Sequence, residues 1–294
     1  MITTIIRDGV KLRESRIVLH AGLPEKHVFA QLTDTHLAVR DGKNDELADA
    51  RSEFWAIQGG VFRGEGEAER VYPNALAEMI CDRLREISPE AVIFTGDTVD
   101  YPSAANFRHT KALFDSIGTP VIFVPGNHDE VGEDADEDTK AALLELTGGI
   151  KDVDVVPLAP GLDAIVIDDA HVRVTAAQVA KVRDALDRAG AEGKHVLVFA
   201  HAPFLTASAT WPTRRTWGYT WMVGEDANGE EGKEMVRLFN ERQDVIAGIF
   251  AGHIHRASGD GEGASEGEQY DPSEVRQFTA APALTGFYRI IEVD

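Results

Sequence analysis

The chain has a single cysteine, Cys81, among 294 residues. That excludes an intrachain disulfide framework and fits a reducing compartment, so the cytoplasm is the expected location. Basic residues are scarce as well. Lys and Arg number 29 against 50 Asp and Glu, for a net charge of −21. This imbalance repels nucleic-acid backbones and anionic lipid at long range, yet it leaves room for a local cationic site. Long apolar runs are missing: no uncharged stretch approaches the roughly 18 residues that a membrane helix needs. Charges interrupt every short apolar stretch of the opening MITTIIRDGVKLRESRIV, which does not read as a signal peptide. No membrane partner is expected. The remaining composition is that of a globular chain. At this length about three quarters of the unfolded surface can be buried, so no structural metal or disulfide is required.

The apolar residues that are present fall into two rhythms. Short β-branched runs occur at 28–33 (VFAQLT), 91–95 (AVIFT), 120–124 (PVIFV), 164–167 (AIVI), 195–200 (HVLVFA) and 245–251 (VIAGIFA). They are too short for helices and read as strands buried on both faces. Helical patterns lie between several of them. Residues 74–87 place Leu76, Met79, Ile80, Leu84 and Ile87 on one face before Ser88-Pro89. Residues 105–117 carry Phe107, Phe114 and Ile117 ahead of Gly118, and 175–189 open with the capping box Thr175/Gln178. Strands alternating with helices predict an α/β fold. Three stretches break the rhythm and read as long loop insertions: 39–73, 203–232 and 256–274. With no internal repeat and no linker between separate cores, residues 1–294 read as one domain.

Chemistry-bearing residues follow the strands. Asp34-Thr-His36 comes after the first run. Gly96-Asp97-Thr-Val-Asp100 comes after the second, and Pro125-Gly126-Asn127-His128-Asp129 after the third. His201 and Gly252-His253-Ile-His255 close the last two. In open α/β sheets the carboxyl ends of strands face the ligand crevice, so residues spread over 200 positions can converge there. Carboxylate and imidazole without thiolate suit Mn, Fe, Zn or Ni. Seven candidate ligands, Asp34, His36, Asp97, Asn127, His201, His253 and His255, are too many for one tetrahedral zinc and suit two metals sharing a bridge. Gly96, Gly126 and Gly252 permit sharp turns and close backbone approach beside them. Any one of the histidines alone could be a satisfied core residue; four of them at strand ends, together with Asp34 and Asp97, point to a metal centre.

The ordered set Asp-x-His, Gly-Asp-x-x-Asp, Gly-Asn-His-Asp, His and Gly-His-x-His resembles the calcineurin-like metallophosphoesterases over about residues 28–255. QFTAAPALTGFYRIIEV is similar to that family's closing strands. The resemblance implies two stacked mixed β-sheets flanked by helices, in four layers α/β/β/α. It implies that Asp34, His36, Asp97 and His255 hold one divalent metal ion and that Asp97, Asn127, His201 and His253 hold a second. A hydroxide bridging the two would be the nucleophile. It also implies that His128 contacts the phosphoryl group and aids the leaving group, with Asp100 orienting it. The expected activity is hydrolysis of phosphoric esters by a phosphodiesterase or phosphomonoesterase with a small-molecule substrate. A protein phosphatase, a nuclease or a catalytically silent binding protein on the same scaffold are the alternatives. The net charge argues against the nuclease, and the complete ligand set argues against the silent protein.

Other residues are read more plainly. Asp129 could aid the site or cap the segment that follows it, the second being the preferred reading, and Asp168-Asp169 is expected to serve a loop. His20, His27, His109, His171 and His195 are expected to be structural. The acidic clusters at 130–138 and 260–274 read as solvated loops. Trp211, Trp217, Tyr219 and Trp221 could form a packed cluster or wall a pocket that stacks on a planar group. Arg214 and Arg215 could pair with a substrate phosphate or face solvent. Arg214, Arg215, Trp217 and Trp221 are the candidate substrate-binding residues.

Overall fold

A computed structural model describes residues 2–63, 70–206, 209, 225–258 and 273–294. Its strands are β1 (Ile2–Arg7), β2 (Val10–Leu19), β3 (His27–Leu32), β4 (Ala91–Thr95), β5 (Val121–Val124), β6 (Val153–Ala159), β7 (Leu162–Ile167), β8 (His195–Phe199), β9 (Ile246–Ala251), β10 (Gln277–Thr279) and β11 (Phe287–Val293). The helices are α1 (Asp45–Arg63), α2 (Pro73–Ile87), α3 (Ala104–Ile117), α4 (Glu137–Thr147), α5 (Ala176–Ala191) and α6 (Glu225–Glu241). Among the described residues, no helix is long and apolar enough to cross a membrane.

The strands form two mixed sheets. The six-stranded sheet runs β1-β2-β11-β3-β4-β5 and the five-stranded sheet runs β10-β9-β8-β7-β6. β3, β4 and β5 are parallel, as are β7, β8, β9 and β10, while β1 and β6 join the edges antiparallel. Phe29, Ile93, Ile291 and Val293 of the first sheet pack against Leu197, Phe199, Phe250 and Phe278 of the second. The outer face of the first sheet is covered by α2 and α3, through Leu76, Ile80, Leu84 and Phe114. The outer face of the second is covered by α5 and α6, through Val179, Val182, Leu186, Met235, Leu238 and Phe239. These are the four layers that the motif resemblance implied. Because both sheets are covered on both faces, their central strands are continuous apolar runs rather than alternating ones.

The six expected strands and three expected helices are present, with ends shifted by a residue or two. The capping box forms: the Thr175 side chain accepts from the Gln178 amide and the Gln178 side chain returns to the Thr175 amide. Two readings need correction, and one segment that the sequence left unassigned gains an element. Residues 39–73 are not a loop insertion, because α1 spans Asp45–Arg63. The acidic stretch 130–138 runs into a helix, with the Asp136 side chain accepting from Thr139 N at the start of α4. The charged N-terminal segment is a hairpin, β1 paired to β2 around Asp8-Gly9. Of 203–232 and 256–274, most lies outside the described residues; α6 begins within the first.

Between the sheets, Phe250 stacks on Phe199 at 5.3 Å and on Phe278 at 5.2 Å. Phe250 is fully buried, and β9, which carries it, leads directly into the His253 loop. Phe250→Ala is expected to destabilise the chain by about 3–5 kcal/mol in equilibrium urea unfolding. A loss below about 1 kcal/mol would show that the two sheets do not depend on this stack.

Candidate metal centre

The loops after β3, β4, β5, β8 and β9 meet where the carboxyl ends of the two sheets come together. Their backbones are bent hard. Asp34, His36, Asp97, His253 and His255 all have positive φ, at 51°, 46°, 51°, 65° and 54°. For a residue with a side chain that conformation costs roughly 1–2 kcal/mol, and strain of this kind concentrates at functional sites. The neighbouring glycines leave no room for a side chain. A Cβ on Gly96 would stand 2.2 Å from His201 Nδ1, one on Gly126 2.2 Å from Asp97 N, and one on Gly252 1.8 Å from Thr33 Oγ1.

Six of the seven proposed ligands come together as two buried groups. In the first, His255 Nε2 lies 3.1 Å from Asp34 Oδ1 and 3.3 Å from His36 Nε2. In the second, His201 Nε2 lies 3.3 Å from Asp97 Oδ1 and 3.1 Å from His253 Nδ1. Asp97 faces both: its other oxygen, Oδ2, is 3.8 Å from His36 Nε2. The seventh, Asn127, sits on the exposed side of the loop before His128.

Two of the atoms turned away from these groups, Asp34 Oδ2 and His201 Nδ1, are held by the protein. Asp34 Oδ2 accepts from His253 N at 3.0 Å and lies 2.6 Å from the Thr33 hydroxyl, which keeps Oδ1 directed inward. His201 Nδ1 lies 2.8 Å from the Thr95 carbonyl across the sheet boundary. Only a protonated Nδ1 can donate to that carbonyl, so in the neutral ring it is Nε2 that carries the lone pair. Asp97 Oδ1 accepts from His128 N at 2.8 Å. The buried Asp129 does not cap the segment after it. It accepts from Thr98 N, Val99 N and Gly126 N at 2.9, 3.0 and 2.9 Å, tying the Asp97 loop to the His128 loop. Asp169 serves its loop in the same manner, accepting from His201 N and Ala202 N at 2.8 and 3.1 Å.

This donor set fits divalent cations. Two pairs of imidazole nitrogens face each other at hydrogen-bond distance, and one proton at most can be shared within each pair. Buried Asp34 Oδ1 has no well-aligned hydrogen-bond donor among the described residues. A buried carboxylate in that condition is costly unless a cation lies opposite it. Without a metal, His201 supplies positive charge. Burial opposes ionisation of Asp34 and Asp97, but His255 and His201 hold both carboxyls below their usual range. Burial opposes a charge on His201 too, and the Asp97 carboxylate overrides it, raising His201 to about 10. Burial and then the His201 charge push His253 down to about 3.

The carboxylate of Asp100 turns elsewhere than the motif implied. Arg51 binds it through Nε at 2.5 Å and Nη2 at 2.9 Å, and the Trp55 indole N–H donates at 2.5 Å. Its Oδ1 lies 3.4 Å from His36 Nδ1 but 3.8 Å from His128 Nδ1. The Asp100 main-chain carbonyl, at 2.6 Å, takes His128 Nδ1 instead. Burial opposes the ionisation of Asp100, yet His36, Arg51 and Trp55 hold it below the usual carboxylate range. Arg51 and Trp55 were missed in the sequence because their helix was read as a loop; their i, i+4 spacing in DELADARSEFWAIQ was the available signal. Arg214, Arg215, Trp217 and Trp221 lie outside the described residues. His20, His27 and His171 are occupied with Asp294, Glu90 and Glu130, away from the centre.

With this geometry in view, comparison with known proteins is direct. The sequence profile of the calcineurin-like phosphoesterases matches residues 27–257, and the chain belongs to that family. A cAMP/cGMP dual specificity phosphodiesterase of Mycobacterium tuberculosis is 27% identical over 126 residues, covering 40% of this chain and 38% of that protein. The chain thus spans well under half the length of that curated relative. A dimetal phosphatase from Danio rerio superposes with a TM-score of 0.57 at 14% identity, covering 88% of each chain. Purple acid phosphatase PPD1 of yellow lupin (Lupinus luteus) superposes with a TM-score of 0.50 at 11% identity, covering 96% of this chain and 46% of its own. At these identities the two structures establish the shared fold.

A metal ion bound at this group would compete with a proton for His201. Its folded pKa of about 10 lies above the ordinary 6.5. In metal-depleted protein its stabilising contribution is therefore complete below pH 6.5 and lost as pH rises toward 10. Metal requires the neutral ring, so binding at pH 8 should expel about one proton from this group. Calorimetry of Mn²⁺ binding in buffers of different ionisation enthalpy measures that number. Zero net release would show that His201 is not the group displaced.

Proposed function

We propose that the chain is a phosphodiesterase that uses two divalent metal ions on a small-molecule phosphate ester. The observation that carries this reading is Asp97, with Oδ1 facing His201 and Oδ2 facing His36, so that one carboxylate belongs to both groups. Asp34, His36, Asp97 and His255 would hold one ion, and Asp97, Asn127, His201 and His253 the other. When bound, such a pair supplies Lewis-acid charge for phosphoryl oxygens and lowers the pKa of a coordinated water to about 7. The Mycobacterium tuberculosis relative acts on cyclic nucleotides, by its name, which favours a diester over a monoester here.

The side chains around the groups divide the remaining work. Asp34, Asp97 and the four imidazoles around them would bind cation, with Asp34 and His201 already hydrogen-bonded on their outer sides through Oδ2 and Nδ1. His128 is half-buried on the open side. With Nδ1 committed to the Asp100 carbonyl, its Nε2 is the nitrogen that can hand a proton to a leaving-group oxygen. His128 N, donating to Asp97 Oδ1, locks that imidazole to the carboxylate the two groups share.

Elemental analysis of metal-loaded protein should find about two transition-metal ions per chain; a plateau at one ion with full activity would falsify the two-metal reading. Asp97→Asn should lose metal and activity together. His128→Ala should keep its metal and lose about 10²–10⁴-fold in kcat, least for esters with very good leaving groups. Loss of metal on His128→Ala would remove that residue from the role given to it. The substrate class is tested by assaying cyclic nucleotides, glycerophosphodiesters, nucleotide sugars and phosphomonoesters, each with Mn, Zn, Fe and Ni. Diesters are expected to give the higher kcat/KM. Faster turnover of every monoester would make the chain a phosphomonoesterase.

A further inference from the structure

Helix α1 reaches the metal centre with two side chains. Arg51 grips both oxygens of Asp100, and Trp55 donates to Oδ1 of the same carboxylate. The Trp55 ring also stacks on His36, with centroids 4.1 Å apart and planes at 23°, and lies 5.3 Å from the ring of His255. Asp100 in turn touches two histidines with different atoms: its carboxylate faces His36 Nδ1 and its main-chain carbonyl takes His128 Nδ1. Trp55 and Asp100 are buried, whereas the Arg51 side chain is one-third exposed. The forked Arg–carboxylate contact fixes direction as well as distance.

We propose that Arg51 and Trp55 are positioning residues of the metal centre: acting from α1 through Asp100, they fix the ring orientations of His36 and His128. His36 is thereby held with Nε2 toward Asp34, Asp97 and His255, and His128 with Nε2 toward the open side. The helix then governs two properties together, cation affinity through His36 and proton delivery through His128. The second part rests on the phosphoesterase reading above; the first part does not. A rival role exists in which the Arg51–Asp100 pair merely fastens α1 to the body of the protein. That role would move the melting temperature and leave both properties alone.

The test uses the full chain with Arg51→Ala, which removes the fork, and Trp55→Phe, which keeps a ring over His36 and removes the N–H to Asp100. Mn²⁺ dissociation constants are measured by equilibrium dialysis without substrate. Then kcat is measured at saturating Mn²⁺ over aryl phosphate esters of increasing leaving-group pKa. Arg51→Ala should weaken Mn²⁺ binding by about 10–100-fold, the usual range for losing a partner of a metal ligand, and Trp55→Phe should weaken it less, in the same direction. In both variants kcat should fall more for poor leaving groups than for good ones, with KM unchanged within about twofold. Mn²⁺ affinities equal to the parent's in both variants would overturn the proposal, whatever the melting temperature does. A leaving-group dependence parallel to the parent's would overturn the part concerning His128. If the parent hydrolyses none of the esters, the phosphoesterase reading fails, while the dialysis still decides whether α1 positions His36.

Discussion

The carboxylate of Asp97 faces His201 with one oxygen and His36 with the other, out of water, with Asp34 ionised beside the same cluster. Burying like charges this close is unfavourable unless cations and backbone N–H groups surround them. The rest of the site follows from that requirement. Five of the candidate ligand positions, on three loops, accept left-handed backbone so that their side chains turn toward one point. Three glycines yield their side-chain volume to the neighbouring loop. Asp129 and Asp169 gather the N–H groups that the sharp turns leave without strand partners, and burial pushes each of them up to about 7. The bond between His201 Nδ1 and the Thr95 carbonyl joins the second sheet to the first at the point where the ligands need to be nearest.

The sequence revealed most where residues were buried on both sides. β3, β4, β7, β8 and β9 are almost wholly buried, so they appear as unbroken apolar runs and their boundaries were legible. The candidate ligands stand out for a related reason: all but Asn127 follow such a run, in an order that carries the family resemblance. The β1–β2 hairpin escaped because its charges alternate with buried positions, and alternation broken by Lys11, Arg13 and Arg16 resembles a soluble tail. The Asp8-Gly9 pair, both at positive φ, was the hairpin signal available to a closer reading. Helix α1 escaped because its buried face is made of Ala48, Trp55 and Ala56, and it packs partly on a polar site. A helix of that kind shows no wide apolar stripe.

Asp100 marks a different limit. The spacing Gly-Asp-x-x-Asp places a carboxylate near His128, but spacing does not distinguish a side-chain oxygen from a main-chain one. The outcome was decided 49 residues upstream, where Arg51 claims both carboxylate oxygens. Long-range pairing of this sort is invisible to local pattern, and it changes the chemistry. A histidine facing a carboxylate is drawn toward its charged form; one facing a carbonyl is held in orientation with less bias toward charge.

Net charge bears on substrate size once the site is in place. A phosphate ester must approach a protein of net charge −21. At physiological ionic strength, charges are screened over about 8 Å. On the proposed function, an ester small enough to lie within that distance of the centre would experience mainly the cations held there and His128. A long polyanion would extend past that distance, across a protein whose acidic groups outnumber its basic ones by 21 in all, and each further phosphate would add repulsion without reaching another cation. The same charge balance that is indifferent to a small diester therefore penalises a polymer, and selection by size can arise without any side chain that recognises the substrate's end.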